Sequence, residues 1–136
     1  MVSSKLGRLD ILVNNAGYAI AKTVLEHEVR SIEELFLINV IRPIQLIVRL
    51  VKYMGEGSTI INIVTAGIHI KLARMPIYGS SKVALHYASK ILRDELRSQG
   101  IRLMTVYPSP VRTKFFERAG LKTPKYAIDP SQVAKP

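Results

Sequence analysis

Asp10-Ile11-Leu12-Val13-Asn14-Asn15-Ala16-Gly17 is a short apolar run that leads directly into a turn of small residues. The stretch from Leu9 to Val13 is apolar except for Asp10, and such a run is typical of a parallel strand that is buried on both faces of its sheet. Two further apolar runs follow, from Thr59 to Val64 and from Ile101 to Val106. The sequence therefore predicts three strands of one parallel sheet.

The connection between the first two strands is long enough to hold a helix. A loop that contains a helical turn is expected from Gly17 to about Arg30. Ser31 and Glu34 have the spacing of a capping box, which predicts that a long helix begins there and runs to about residue 54. Because Pro43 lacks a backbone N–H, we expect this helix to bend near it.

A second long helix is predicted from Tyr78 to Ser98, and Gly100 ends it. Strand, helix, strand, helix and strand with right-handed crossovers give an α/β fold, a partial doubly wound sheet of about three strands. The 136 residues, of which 48% are hydrophobic, suit one domain with a moderate core. We expect a single incomplete domain over residues 1–136, whose last part, about 114–136, forms a substrate lid or tail.

Tyr78 and Lys82 stand four residues apart, which places them on one face of the second helix. An unperturbed phenol has a pKa near ~10, which is too high for efficient proton exchange at neutral pH. A neighbouring ammonium favours the phenolate and is expected to lower the pKa of Tyr78. The pair is therefore a candidate acid–base device, although the same spacing also occurs on solvated helix faces.

Two more signals stand at fixed distances from Tyr78. Thr65 lies 13 residues before it, at the end of the second strand, and the run Pro108-Ser109-Pro110-Val111-Arg112-Thr113 begins 30 residues after it, beyond the third strand. The carboxyl ends of parallel strands meet at one edge of the sheet, where such sheets bind ligands. These residues and the turn that ends at Gly17 are therefore expected to converge on one crevice.

Together these stretches resemble the short-chain dehydrogenase/reductase family. The family's marks are an Asn-Asn-Ala-Gly turn, a Ser about 13 residues before Tyr-x-x-x-Lys, and a Pro-Gly-x-Val-x-Thr loop, and the resemblance extends from Gly7 to about Thr113. It implies a Rossmann-type domain and an NAD(P)-dependent oxidoreductase of carbonyl or secondary alcohol substrates. An apolar or lipid-like small molecule is expected as the substrate, because the lid segment carries Phe115, Phe116 and Leu121.

The resemblance implies four catalytic residues. Tyr78 would exchange a proton with the substrate oxygen, while Lys82 would lower the Tyr78 pKa and bind the nicotinamide ribose. Thr65 stands where the family usually has Ser, so the hydroxyl is kept while the added methyl crowds the pocket. Asn39 resembles the helix asparagine that binds a water in the family's proton relay, and a structural hydrogen bond to a neighbouring loop is the alternative.

The same resemblance implies the residues that bind the cofactor, which is NADP or NAD. They belong to the turn after the first strand, the catalytic helix and the loop after the third strand: Asn15, Ala16, Gly17, Tyr78, Lys82, Pro108, Val111 and Thr113. Ser109 replaces the family's usual glycine in that loop, and the basic charge of the chain favours NADP. No metal site is expected, because the three histidines share no ligand spacing with one another or with acidic residues.

One family feature is missing from this sequence. The glycine-rich turn that receives the cofactor's pyrophosphate is absent, since the only Gly-x-Gly, Gly55-Glu56-Gly57, follows a helix and precedes a strand. The chain resembles the C-terminal portion of a family domain without its first three strands. The alternative to an active oxidoreductase is therefore a truncated, non-catalytic paralogue or an incomplete gene model that acts at most as an interaction module.

The formal net charge of +10 is spread along the chain, with some concentration from Arg102 to Lys135. The basic residues are not interleaved with aromatic residues as on a single-strand-binding surface, so we expect no nucleic-acid partner. The positive charge is compatible with peripheral contact with an acidic membrane. We find no secretory signal and no membrane span, and zero cysteines suit a reducing compartment. We expect a cytoplasmic protein, and a homo-oligomer because the long helices resemble those that the family uses for subunit contacts.

Overall fold

The structure is a computed structural model that describes residue 5 and residues 7–135. Three strands form one parallel sheet in the order β1 (Ile11–Asn14), β2 (Thr59–Ile63) and β3 (Arg102–Val106). Leu12 lies opposite Ile60, which in turn lies opposite Leu103. The predicted α/β fold with three parallel strands is confirmed, and no strand end differs from the prediction by more than two residues.

Helices occupy the connections between the strands and the segment after them. They are α1 (Val29–Phe36), α2 (Arg42–Leu50), α3 (Pro76–Arg97), α4 (Phe115–Ala119) and α5 (Pro130–Val133). Short 3₁₀ helices lie at Val24–Glu26, Val51–Tyr53 and Ala66–His69, and the first of these is the helical turn that was expected before residue 30. Within the described part of the chain, no helix has the length and apolarity to cross a membrane.

The predicted capping box at Ser31 is wrong. The helix begins at Val29 with Glu28 as its N-cap residue, so Ser31 lies inside the first turn. There its hydroxyl donates to the Glu28 carbonyl at 2.8 Å, and the side chain of Glu34 pairs with Arg30 instead of reaching back to a cap. A serine hydroxyl that bonds a carbonyl one turn back is compatible with a helix interior, and this use explains the misleading pattern.

The expected bend near Pro43 takes the form of a wide turn rather than a simple kink. Residues Leu37–Ile41 form a π-helical turn between α1 and α2, and the Arg42 N–H donates to the Leu37 carbonyl, five residues back. Proline has no N–H with which to continue the α-helical ladder, and the widened turn lies immediately before it. Asn39, a candidate catalytic residue, is fully buried in this turn.

The second long helix, α3, begins two residues earlier than predicted. Pro76 lies in its first turn, where the missing N–H costs nothing because helices leave their first amides without intrahelical partners. After the helix ends, Gly100 adopts a positive φ of 67°. This left-handed residue turns the chain from α3 into β3, as its glycine predicted.

The main core of the described residues lies on one face of the sheet. Ile47 of α2 and Leu96 of α3 pack together against Ile60 and Leu103, with Leu12 of β1 beside them. Because these three strand residues are register partners, they all project to the same side. Both long helices therefore cover one face of the sheet.

The fold predicts a difference between two glycines that both have positive φ. A Cβ at Gly100 would lie 2.7 Å from Cγ and 3.2 Å from Cα of Glu56, whereas a Cβ at Gly57 would have no neighbour within 4 Å. Urea unfolding should show Gly57→Ala to be less stable by about 1 kcal/mol, from the left-handed backbone alone. Gly100→Ala should lower the free energy of unfolding by about 3 kcal/mol, because the steric clash with Glu56 adds to the cost of the left-handed backbone. Equal losses for the two variants would contradict the close packing of Glu56.

Candidate active site

The candidate catalytic residues meet at the carboxyl edge of the sheet. Tyr78 and Lys82 lie one turn apart near the start of α3, and both side chains are buried. The Lys82 Nζ lies 5.8 Å from the centre of the Tyr78 ring and donates to the carbonyl of Ile63, the last residue of β2, at 2.9 Å. The ammonium is thus held between α3 and the end of the central strand.

Gly17 makes the close approach of the first turn to this pair. A Cβ at Gly17 would lie 3.2 Å from Asn39 Oδ1 and 3.3 Å from Lys82 Nζ. Both distances are shorter than ordinary van der Waals contact for a methyl group. A residue without a side chain therefore lets the backbone after β1 pack directly against two polar groups of the site.

The pKa values of the pair differ from the expectation. Burial raises the pKa of Tyr78 to about 12, and a hydrogen bond with the Thr65 side chain opposes this rise without cancelling it. Burial also lowers the pKa of Lys82 to about 8. We expected Lys82 to depress the pKa of Tyr78, but the cost of burying a phenolate dominates in this structure.

Thr65 is positioned by its own backbone segment. Its Oγ1 accepts from the Gly67 N–H at 3.1 Å, which caps the 3₁₀ helix at Ala66–His69. The Ala66 N–H donates to the carbonyl of Pro108 at 3.0 Å. The loop after β2 and the loop after β3 are therefore joined beside Tyr78, as the convergence of strand ends predicted.

Asn39 makes the structural hydrogen bonds that we considered as the alternative to a water relay. Its Oδ1 accepts from the Tyr18 N–H at 3.0 Å, and its Nδ2 donates to the Tyr18 carbonyl at 2.9 Å and to Ser81 Oγ at 3.1 Å. The Ser81 hydroxyl in turn donates to the carbonyl of Tyr78. Asn39 thus connects the turn after β1 to the first turns of α3.

A second buried polar chain was not predicted. Asn14 Nδ2 donates to Asn62 Oδ1 at 2.8 Å, Asn62 Nδ2 donates to Ser89 Oγ at 2.9 Å, and the Ser89 hydroxyl donates to the Leu85 carbonyl. The sequence carried a signal for it, because Asn62 interrupts the apolar run of β2. A buried amide in a central strand needs polar partners, and a neighbouring strand and helix supply them.

The expected cofactor residues divide into separate groups. Gly17, Tyr78 and Lys82 lie together, and Pro108 lies beside the Thr65 loop. Asn15 and Ala16 line a hollow of about 130 Å³ next to β1, together with Val13, Asn14, Ile38, Arg42, Pro43 and Leu46. Val111 pairs with Ile128, and Thr113 Oγ1 accepts from the Phe115 N–H, so this loop is bound to the segment that follows it.

That following segment covers Tyr78. The Phe115 ring lies 5.1 Å from the Tyr78 ring, and Phe116 and Ala119 pack with Ala19, Met75 and Tyr78 in a second apolar cluster. The Ala21 N–H donates to the Ala119 carbonyl, which connects α4 to the turn after β1. The surroundings of the phenol are therefore mostly apolar, which accounts for its raised pKa.

Comparison with known proteins identifies a family for this arrangement. A model of the short chain dehydrogenase family matches residues 1–123. An uncharacterized oxidoreductase of Methylorubrum extorquens is 34% identical over 120 residues, and a fatty acyl-CoA reductase of Mycobacterium tuberculosis is 35% identical over 118 residues. A short-chain dehydrogenase of Sphingobium yanoikuyae, solved with NADPH, superposes with a TM-score of 0.84 at 27% identity.

The matches cover most of this chain but only part of each relative. They span 86% of this chain and 47% of the Methylorubrum protein, and 82% of this chain and 40% of the Mycobacterium protein. The Sphingobium structure covers 95% of this chain, which corresponds to 52% of its own. The chain thus spans about half the length of the proteins that it matches.

The lowered pKa of Lys82 predicts a rise of stability with pH. Between about pH 8 and the ordinary value of 10.5 the unfolded chain keeps the Lys82 proton that the folded chain has lost, so the free energy of unfolding increases with pH. From pH 8 to 10 the rise should be roughly 2–3 kcal/mol, and Lys82→Met should lack it. Lys90→Met, which changes an exposed lysine of the same helix, is the control and should keep the rise. Urea unfolding across this range measures the effect, and an unchanged rise in Lys82→Met would assign it to another group.

Proposed function

The chain belongs to the short-chain dehydrogenase family, and we propose that its site transfers hydride between a nicotinamide cofactor, NADP or NAD, and a carbonyl or secondary alcohol substrate. The observation that carries the proposal is the arrangement of Tyr78, Lys82 and Thr65 at the carboxyl edge of the sheet. These residues come from a helix and a strand end that are separated in sequence. They supply a proton donor, a cation and a hydroxyl within one apolar enclosure.

Tyr78 is the proposed proton donor to the substrate oxygen. The cofactor, when bound, supplies the hydride that the substrate carbon receives. As the carbonyl becomes an alkoxide, the Tyr78 phenol transfers its proton to that oxygen, and the Thr65 hydroxyl donates a hydrogen bond to the same oxygen. The phenolate left behind is stabilised by the Lys82 ammonium nearby.

The raised pKa of Tyr78 favours the reductive direction. Reduction of a carbonyl starts from the protonated phenol, which a pKa of about 12 preserves throughout the physiological pH range. Oxidation of an alcohol would instead need the phenolate as the proton acceptor. We propose carbonyl reduction as the direction for which Tyr78 is already in the required protonation state at neutral pH.

The proposed cofactor contacts fit the donors that the structure presents. Lys82 uses one of its three ammonium donors on the Ile63 carbonyl, which leaves two for the ribose hydroxyls. Asn15 and Ala16 line the hollow beside Arg42, on the side assigned to the adenosine. Pro108, Val111 and Thr113 are assigned to the nicotinamide end. The NADPH in the Sphingobium relative and the net charge of +10 support NADP over NAD.

An apolar substrate is supported by the enclosure of Tyr78. Phe115 and Phe116 form one wall, and Leu72 and Leu121 pack against the same cluster. The Mycobacterium relative, at 35% identity, is named a fatty acyl-CoA reductase. We propose a lipid-like carbonyl compound as the substrate class.

A chimera tests the assignment of Tyr78. The matched 120 residues of the Methylorubrum oxidoreductase would be replaced by this chain, so that the rest of a family domain is present, and NADPH oxidation would be followed with apolar ketones. Tyr78→Phe should lower kcat about 10²–10⁴-fold, because only the ionisable oxygen is removed. Thr65→Ala should also lower kcat severely, whereas Thr65→Ser should preserve or raise kcat. A Tyr78→Phe chimera with near-normal kcat would contradict the acid–base assignment.

The second candidate function, a non-catalytic module, is tested by cofactor binding to the chain alone. The only Gly-x-Gly of the sequence lies between a helix and a strand and cannot receive a pyrophosphate at a helix N-terminus. We therefore expect weak binding, so that submillimolar NADPH shifts the Tm of the chain little. A concentration ~100-fold above Kd would stabilise the fold by roughly 2.7 kcal/mol and would be easily detected. A clear shift in calorimetry would show that the remaining contacts suffice and would remove the reason for this candidate.

A further inference from the structure

Two polar contacts join α3 to the strand β3 and to the residue just beyond that strand. His86 Nδ1 lies 2.7 Å from the Tyr107 hydroxyl, and the two rings meet edge to face with their centres 5.5 Å apart. Further along α3, the Arg93 guanidinium donates to the Leu103 carbonyl and to Thr105 Oγ1, each at 3.2 Å. The earlier helix residue thus contacts the later residue of the strand segment, and the two contacts fix how α3 lies along β3.

The distance between His86 and Tyr107 indicates which group donates. Hydroxyl donors usually lie about 2.7–2.8 Å from their acceptors, whereas N–H donors usually lie about 2.9–3.0 Å from theirs. Loss of solvent around the imidazole lowers the pKa of His86, and the charges of Lys90, His69 and Arg93 lower it further. The ring is therefore neutral at neutral pH, and its Nδ1 lone pair accepts from the Tyr107 hydroxyl.

Tyr107 stands between two backbone hydrogen bonds that join the ends of the second and third strands. The carbonyl of Val106 accepts from the Val64 N–H at 2.8 Å, and the carbonyl of Pro108 accepts from the Ala66 N–H at 3.0 Å. A contact that fixes Tyr107 therefore also fixes the point at which β3 passes into the loop that follows it.

His86 belongs to the helix that carries the candidate proton donor. Tyr78, Lys82 and His86 follow one another at intervals of four residues, so they lie along one side of α3. Lys82 donates to the carbonyl of Ile63 at the end of β2, and His86 accepts from Tyr107 beyond the end of β3. The helix is thereby attached to the ends of both strands from which the loops of the site leave.

We propose that His86 and Tyr107 are positioning residues, which hold the loop after β3 against α3 so that Pro108 stays bonded to the loop of Thr65. The role rests on the proposed function, because that function assigns Pro108 to the nicotinamide end of the cofactor and Thr65 to the substrate oxygen. The pair acts through the loop backbone, since the Tyr107 hydroxyl is already bonded to His86.

Amide hydrogen exchange in the full chain tests whether the contact holds the loop. Tyr107→Phe removes the hydroxyl, keeps the ring and should speed exchange of the Ala66 amide roughly three- to ten-fold, as expected for the loss of one hydrogen bond. The Arg102 amide, which donates to the Ser58 carbonyl at the opposite end of β3, should exchange as before. Tyr87→Phe is the control, because it removes the hydroxyl of a tyrosine that is 67% exposed, and it should leave both amides unchanged.

Variants of His86 separate the hydrogen bond from the packing of the rings. His86→Phe should speed exchange of the Ala66 amide as much as Tyr107→Phe does. The double variant should be no faster than either single one, because both substitutions remove the same bond. His86→Asn keeps an acceptor near the position of Nδ1 and should restore slow exchange at least in part.

The chimera with the Methylorubrum oxidoreductase measures the consequence for the reaction. Tyr107→Phe and His86→Phe should each raise the KM for NADPH about three- to ten-fold and change kcat less, because the loop affects binding of the cofactor. A chimera with the unaltered chain that shows no activity would contradict the proposed function, whereas exchange of the Ala66 amide would still decide whether the pair holds the loop.

Four results would overturn the proposal. Unchanged exchange of the Ala66 amide in Tyr107→Phe would show that the contact does not hold the loop. Equal acceleration at Ala66 and Arg102 would indicate a general loss of stability instead. Additive effects of the two single variants would show that they do not share one bond. A lower kcat at an unchanged KM for NADPH would place the pair in the chemical step.

Discussion

A buried chain of amide and hydroxyl groups joins the sheet to its longest helix, and the candidate site is built at the end of this chain. Asn14 at the end of β1, Asn62 in β2 and Ser89 in α3 are all buried and are joined by consecutive hydrogen bonds. Leaving one such group unpaired costs about 1–3 kcal/mol, so the register of the two strands and the axial position of α3 are fixed together. Ile63, which follows Asn62, then presents its carbonyl to Lys82.

The wide turn before Pro43 has a comparable role on the other side of the site. It places Asn39 where both polar atoms of its side-chain amide bond the Tyr18 backbone, and the Nδ2 also donates to Ser81 of α3. Gly17 allows the turn after β1 to approach closely enough for these bonds. Because the Ser81 hydroxyl also donates to the Tyr78 carbonyl, the turn that precedes Pro43 helps to position Tyr78 through Asn39 and Ser81.

The strands and the convergence of the candidate residues could be predicted, because apolar runs and the rules of parallel sheets are local or topological. The start of α1 could not be predicted, because Ser31 and Glu34 have the spacing of a capping box but bond with partners inside or beside the helix, Glu28 and Arg30. The π-helical turn was not predicted either. A proline indicates that the regular helix is interrupted, but it does not indicate which geometry the interruption takes. The pKa of Tyr78 depends on how deeply Phe115 and its neighbours bury the phenol, and that is a property of tertiary packing.

Burial sets the protonation states of the site and also makes them sensitive to what binds there. With a pKa of about 8, Lys82 is mostly protonated at neutral pH, but further burial would lower its pKa enough to remove the proton. An anionic ligand nearby would raise the pKa of Lys82 and keep it charged, whereas the same negative charge would disfavour a phenolate and keep Tyr78 protonated. A bound anion would therefore oppose the effect of burial at Lys82 and add to it at Tyr78. Both effects would preserve a protonated phenol beside a charged ammonium.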